Sequence, residues 1–193
     1  MCGIIGVASN KPSVDKLLIG LLRQEYRGYD SAGLAIFDEK EQIQVFKSTG
    51  KVAELQSSIG LNPVNGNTGI AHTRWATHGL PTEANAHPHH SNNKVFVIHN
   101  GIIENHQEIR TTLKALGYVF ESETDTEVIV HLITENLKTF EIHDAITKTL
   151  KQLHGSFALG IIFKDIPDLI IGARRGSPLA VGYGPNENYL GSD

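Results

Sequence analysis

Hairpin turns outnumber helical crossovers along this chain, and that restricts the fold more than any other feature. Cys2 to Ala8 is a short apolar run broken by Gly3 and Gly6, read as a buried strand. Val14, Leu17, Leu18, Leu21 and Leu22 follow at helical spacing, with Ser13 as the expected N-cap. Gly33 to Phe37 and Gln42 to Ser48 flank the charged stretch Asp38 to Glu41, the pattern of a hairpin. Val52, Leu55 and Ile59 mark a short helix, Asn62 to Asn67 a loop, and Thr68 to Arg74 a strand. A segment rich in His, Pro, Asn and Thr then runs to Asn93, and a loop that long inside a domain is usually functional or disordered. Lys94 to His99 reads as a strand ending in Asn100-Gly101, followed by a helix over Glu104 to Leu116 with Ile109, Leu113 and Leu116 on one face and Gly117 as its stop. Thr124 to Glu127 has capping-box spacing ahead of Val128, Ile129, Leu132, Ile133 and Leu137. A further helix carries Ile142, Ala145, Ile146, Leu150 and Leu153. Strands return at Ser156 to Phe163, Asp168 to Ala173, Leu179 to Tyr183 and Asn188 to Gly191. The order is strand-rich, then helical, then strand-rich, which predicts an α+β fold of mostly antiparallel sheets covered by helices. No repeat, low-complexity tract or linker divides the chain, and Ser192-Asp193 reads as a cut rather than a natural end.

Composition excludes several classes. The chain has 193 residues, 40% hydrophobic and 20% charged, ordinary for one globular domain. The net charge of -4 includes no block of like charges, so no nucleic-acid surface is expected. The run Phe157 to Phe163 is far short of the ~20 residues of a membrane span. No secretory signal opens the chain, and one cysteine makes no internal disulfide, so a reducing compartment, the cytoplasm, is the expectation.

That cysteine is residue 2, in Met1-Cys2-Gly3. Removal of Met1 makes Cys2 the N-terminus, with a thiol and a free α-amine on one residue. The thiolate is the nucleophile at sulfur. An α-amine titrates near pH ~8, close enough to neutrality to act as a base. The plain alternative is a small apolar residue opening a buried strand. Asn100-Gly101 after a strand offers a side-chain amide and a backbone N–H that can meet at one oxyanion, or it is an ordinary Asn-Gly turn. Arg74 and Asp125 suit the α-carboxylate and α-amine of an amino acid, or are structural charges, Asp125 complementing a helix start. Five of the ten histidines fall at His72, His78, His87, His89 and His90. No zinc motif organises them, so hydrogen bonds ordering the loop are preferred to a metal. No phosphate loop or dinucleotide fingerprint is present, and no cofactor or metal is expected.

Met1 to Gly6, Tyr26 to Gly33, Gly69 to Gly79, Asn85 to His89, His99 to Asn105 and Ser122 to Glu127 together resemble the class II glutamine amidotransferases, and among them the fructose-6-phosphate aminotransferase branch. The resemblance runs the length of the chain. It implies the four-layer αββα sandwich of N-terminal-nucleophile hydrolases. It implies that Cys2 attacks the glutamine amide, that Asn100 and Gly101 hold the oxyanion, and that Arg74 and Asp125 grip the α-carboxylate and α-amine. It places Trp75, Thr77 and His78 in a loop closing over L-glutamine, with Trp75 gating ammonia, and Arg27 in a supporting loop that faces a partner domain. It also implies a sugar isomerase domain and a homo-oligomeric parent enzyme, with this chain a glutaminase domain trimmed at its C-terminus. Another N-terminal-cysteine amidohydrolase, or a sibling amidotransferase of purine or asparagine synthesis, stands as the alternative.

Overall fold

Two antiparallel sheets lie face to face, each covered on its outer side by helices. The computed structural model describes residues 2–193. In chain order the elements are β1 (Gly3–Ser9), α1 (Val14–Gln24), β2 (Ser31–Phe37), β3 (Ile43–Thr49), α2 (Val52–Leu61), β4 (Thr68–Arg74), β5 (His89–Ser91), β6 (Val95–Ile103), α3 (His106–Ala115), α4 (Glu127–Asn136), α5 (Ile142–Gln152), β7 (Gly155–Phe163), β8 (Ile166–Arg175), β9 (Ala180–Gly184) and β10 (Glu187–Gly191). The first sheet has the order β3-β2-β4-β1-β10-β9 and the second β5-β6-β7-β8.

Period-two alternation sorts the side chains into three apolar layers. Val7, Leu34, Ile36 and Ala71 face Leu17, Leu21, Val52 and Leu55 of α1 and α2. Val97, Leu159 and Ile161 face Val128, Ile129 and Ile133 of α4. Ile4, Ala35, Ile70, Phe96, Ile98, Ala158 and Leu190 fill the space between the sheets. The chain is thus an αββα sandwich, and each fully buried Leu or Ile in these layers contributes about 1.5–3 kcal/mol.

The same alternation builds the site. Ile4 points between the sheets, so Cys2, two residues earlier, shares its side. Ile70 does the same on β4, and His72 and Arg74 continue its row. Ile98 does so on β6, and Asn100 continues that row. The register pairs Gly3 with Thr73 and Ile4 with His72. At one end of the sandwich the apolar filling therefore gives way to polar side chains from both sheets.

Local signals misplaced several features. β6 runs through Asn100-Gly101 to Ile103, so the dipeptide lies inside a strand and makes no turn. β5 lies within the segment expected to be loop, paired with β6 from His89↔Val97 to Ser91↔Val95. α3 starts at His106 rather than Glu104, and Leu116 is exposed rather than on its buried face. Leu22 of α1 is likewise exposed. Ser13 holds the N-cap position but donates its hydroxyl to Lys11 O at 3.0 Å, leaving α1 without a side-chain cap. The capping box does not form: Glu127 instead accepts from Glu121 N and Ser122 N at 2.8 and 2.7 Å, because it fastens an irregular stretch folding back over α4. Asp125 accordingly lies just before the helix, not within its first turn.

Candidate active site

The start of β1 is held from three sides. Gly3 N donates to Thr73 Oγ1 at 3.1 Å. Ile4 N donates to Ser192 Oγ at 2.9 Å, and Ile4 O accepts from Gln24 Nε2 and Ser192 N, both at 3.2 Å. A Cβ at Gly3 would lie 2.6 Å from Gln24 Oε1, so only glycine allows this packing. The half-buried Cys2 thiol then donates to Trp75 O at 3.5 Å and accepts from Trp75 N at 3.2 Å. Burial pushes the thiol up, and the Trp75 backbone bond only partly offsets it. Among the described residues no imidazole is bonded to this sulfur.

Cys2 opens into a cavity of about 320 Å³ whose walls include Arg27, Arg74, Trp75, Thr77, His78, Asn100, Gly101 and Asp125. Every residue that the family resemblance assigns to the site lines this one cavity, whereas His72, His89 and His90 of the histidine cluster do not. His87, His99, Ile102, Thr124, Thr126, Ser156, Ser177 and Pro178 complete it. Those were not picked out as site residues. Thr124 and Thr126 flank Asp125 at period two, the one local signal that could have found them.

Arg74 is buried, and its guanidinium donates to three carbonyls of the following loop: Leu80 O at 3.1 Å, Gly79 O at 3.4 Å, and His78 O. Asp30 Oδ1 lies 3.9 Å away. The loop is fastened further by Asn85, which donates to Leu80 O and Glu123 Oε2 at 2.9 and 3.0 Å. Trp75 is more than half exposed, with Tyr29 edge-on at 6.5 Å. Across the cavity, the buried Asp125 carboxylate accepts from Ile103 N at 2.8 Å and faces His78 Nδ1 at 4.0 Å. A buried cation and a buried anion in one cavity match a zwitterionic amino acid. Arg27 donates to Ser192 O at 2.9 Å, tying its loop to the end of the chain.

Gly101 has φ +124°, and a Cβ there would lie 2.1 Å from Ser156 O. Gly101→Ala is expected to lower the unfolding free energy by about 3 kcal/mol or more, read from urea denaturation, because strain and overlap add.

Beneath the cavity lies a set of buried imidazoles. His87 Nε2 and His99 Nδ1 each lie 2.9 Å from Thr126 Oγ1. Thr126 has one hydroxyl proton and two lone pairs, so it donates to at most one of the two rings. His89 Nε2 reaches Thr124 Oγ1 at 3.1 Å, and from there Ser122 leads to Glu127 Oε2. Burial holds His72 down to about 3, His87 and His89 well below the ordinary value, and His99 below it. Burial pushes Glu127 up, yet bonds from His131, Ser122 and two backbone amides outweigh it and hold it at about 2. His87 and His89 thus order the loop through hydrogen bonds to threonines. Among the described residues no group of three or more His, Cys, Asp or Glu could hold a metal ion, and no helix is long and apolar enough to cross a membrane.

Comparison with known proteins agrees with this geometry. Residues 72–193, more than half the chain, match the family described as glutamine amidotransferase domain. Glutamine–fructose-6-phosphate aminotransferase [isomerizing] of Pseudomonas putida is 54% identical over the whole chain, and that of Bradyrhizobium diazoefficiens 53%. The chain spans 32% of the length of each. Among solved structures, glutamine phosphoribosylpyrophosphate amidotransferase from B. subtilis superposes with a TM-score of 0.86 at 28% identity, over 99% of this chain and 42% of that one. A glutamine aminotransferase class-II domain protein from Silicibacter pomeroyi shares the fold at 13% identity and a TM-score of 0.69, over 98% of this chain and 88% of that one. The chain therefore belongs to the glutamine amidotransferase domain family.

Proposed function

We propose that residues 1–193 form a glutaminase domain in which Cys2, freed of Met1, hydrolyses L-glutamine to glutamate and ammonia. The observation that carries this reading is the convergence of Cys2, Arg74, Asn100, Gly101 and Asp125 on one cavity. Glutamine binds with its α-carboxylate at Arg74 and its α-ammonium at Asp125. Its side-chain amide then reaches Cys2. The terminal amine takes the thiol proton as sulfur attacks the amide carbon. The oxyanion is held by Asn100 Nδ2 and the Gly101 N–H. The protonated amine returns its proton to the leaving nitrogen, and the C–N bond breaks to give ammonia and a γ-glutamyl thioester. Water, deprotonated by the same amine, cleaves the thioester.

Trp75, Thr77 and His78 form the segment between Arg74 and the carbonyls that Arg74 holds. Movement of this segment over bound glutamine excludes water and keeps ammonia from being lost. In the larger enzymes the chain resembles, the names imply that ammonia passes to fructose 6-phosphate. We extend that role to this domain when joined to a sugar isomerase domain, which lies outside these 193 residues, in a homo-oligomeric cytoplasmic enzyme. Arg27 and its loop face that domain, and Trp75 gates the ammonia between the two.

A diazoketone analogue of glutamine tests the reading. Intact-mass analysis is expected to show one adduct, on a chain lacking Met1, with glutamine protecting. Labelling of a chain that retains Met1, or at any residue other than Cys2, would contradict it.

A further inference from the structure

One buried imidazole joins the two sheets at the level of the nucleophile. His72 lies on β4 of the first sheet, fully buried. Its Nε2 is 2.9 Å from His99 O and 3.0 Å from Asn100 Oδ1, both on β6 of the second sheet. A carbonyl oxygen only accepts, so Nε2 must carry the proton. The ring is neutral, with its ordinary value pressed down to about 3 by burial, so it has one N–H and a bare Nδ1. That Nδ1 has no hydrogen-bond partner among the described residues, and the ring stacks on His87 at 4.2 Å. The tautomer is therefore fixed by His99 O alone. Once it is fixed, the Asn100 atom facing His72 must be oxygen. The opposite end agrees: Asn100 Nδ2 donates to Cys2 O at 2.9 Å, again to an atom that only accepts.

We propose that His72 is a positioning residue that sets which end of the Asn100 amide faces Cys2, keeping the N–H donors and not the oxygen toward the reacting carbon. A flipped Asn100 would present a lone pair to the developing oxyanion and repel it. His72 touches neither the cavity nor the substrate, and acts only through Asn100. The proposal deepens the glutaminase reading and rests on it for its kinetic consequence, but the amide orientation stands apart from that reading.

His72→Phe keeps a ring against His87 and removes the donor, while His72→Gln keeps a donor of comparable reach. Loss of one oxyanion donor costs about 10²–10³ in kcat in a comparable site. For His72→Phe a kcat loss of about 100-fold is expected, with KM for glutamine and the rate of Cys2 alkylation by iodoacetamide unchanged. His72→Gln is expected to recover at least a tenth of wild-type kcat. If His72→Phe fails to fold, nitrogen-15 NMR of the wild-type chain decides. The His72 ring is expected as the Nε2–H tautomer across pH 6 to 8, and an Asn100 Nδ2 proton is expected to exchange slowly. An Nδ1–H tautomer, fast-exchanging Asn100 protons, or a His72→Phe protein with full kcat would overturn the proposal. A wild-type chain inert toward glutamine but with both NMR signatures intact would overturn the glutaminase reading and leave the orienting role standing.

Discussion

Cys2→Ala is expected to reduce glutamine hydrolysis by at least ~10⁴-fold, as removal of a catalytic nucleophile does elsewhere. Folding should be unaffected, because Cys2 is only half-buried, the bonds of its thiol are to the backbone of one residue, Trp75, and its bond to Asn100 is through the backbone carbonyl, which alanine keeps. The companion result is sharper. An N-terminal extension that no peptidase removes should abolish turnover to a similar degree while leaving the thiol in place. Burial raises the thiol above its ordinary value, so thiolate is scarce at neutral pH and a base is needed at the sulfur. No imidazole among the described residues is bonded to it. Acylating the α-amine by an extension removes the one base that is always within reach. Release of ammonia and glutamate measures both variants. An active extended chain would refute terminal-amine catalysis, and an active Cys2→Ala protein would refute the nucleophile itself.

Acid should unfold this chain early. His72, His87, His89 and His99 are buried, and burial depresses all four below the ordinary histidine value. The unfolded chain takes up their protons near pH ~6.5 and the folded chain does not. Their contribution to stability is therefore complete above pH ~6.5 and falls as the pH drops below it, toward about 3 in the case of His72. A group that stays unprotonated in the folded chain costs about 1.4 kcal/mol per pH unit, so His72, His87 and His89, held furthest down, together reach about 4 kcal/mol per unit. A domain of about 5–15 kcal/mol cannot sustain that for long, and unfolding between pH ~6 and ~4.5 is expected. Glu127, held at about 2, adds its own loss only below pH ~4.3, after the histidines have acted. Urea midpoints at pH 7.5, 6.5 and 5.5 provide the measurement. A flat profile across that range would mean the imidazoles are solvated and protonated in the folded chain.

Much of this was legible in the sequence, because much of it is written locally. The apolar spacing of Leu17, Leu18 and Leu21, or of Val128, Ile129 and Ile133, marks a helix face whatever lies opposite. The runs Gly33 to Phe37 and Gln42 to Ser48 about a charged stretch mark a hairpin, which β2 and β3 form. The candidate site was picked out for a different reason: Cys2, Arg74, Asn100 and Asp125, which line one cavity, sit in long motifs whose resemblance to a family implies their roles. What escaped was set by distant partners. Nothing near Thr126 announces that His87 and His99, 39 and 27 residues away, share its hydroxyl. Asn100-Gly101 looks like a turn because the dipeptide favours one, and only pairing with β7 keeps it extended. Glu127 has the spacing of a capping residue, yet the backbone amides of Glu121 and Ser122, six and five residues upstream, claim its carboxylate. The histidine cluster suggested metal or loop order, and only the depth of burial shows that the His72, His87 and His89 rings are neutral.

The pairing of β1 with β10 has a consequence for how the chain is made. β1 lies inside its sheet, between β4 and β10, and Ser192 secures Ile4. β1, at the start of these 193 residues, is thus flanked on one side by β10, a strand translated long after it. Until β10 emerges, β1 lacks its partner on that side and that edge stays open to solvent. A methionine aminopeptidase working on the nascent chain meets a loose end, well before the finished fold takes it in.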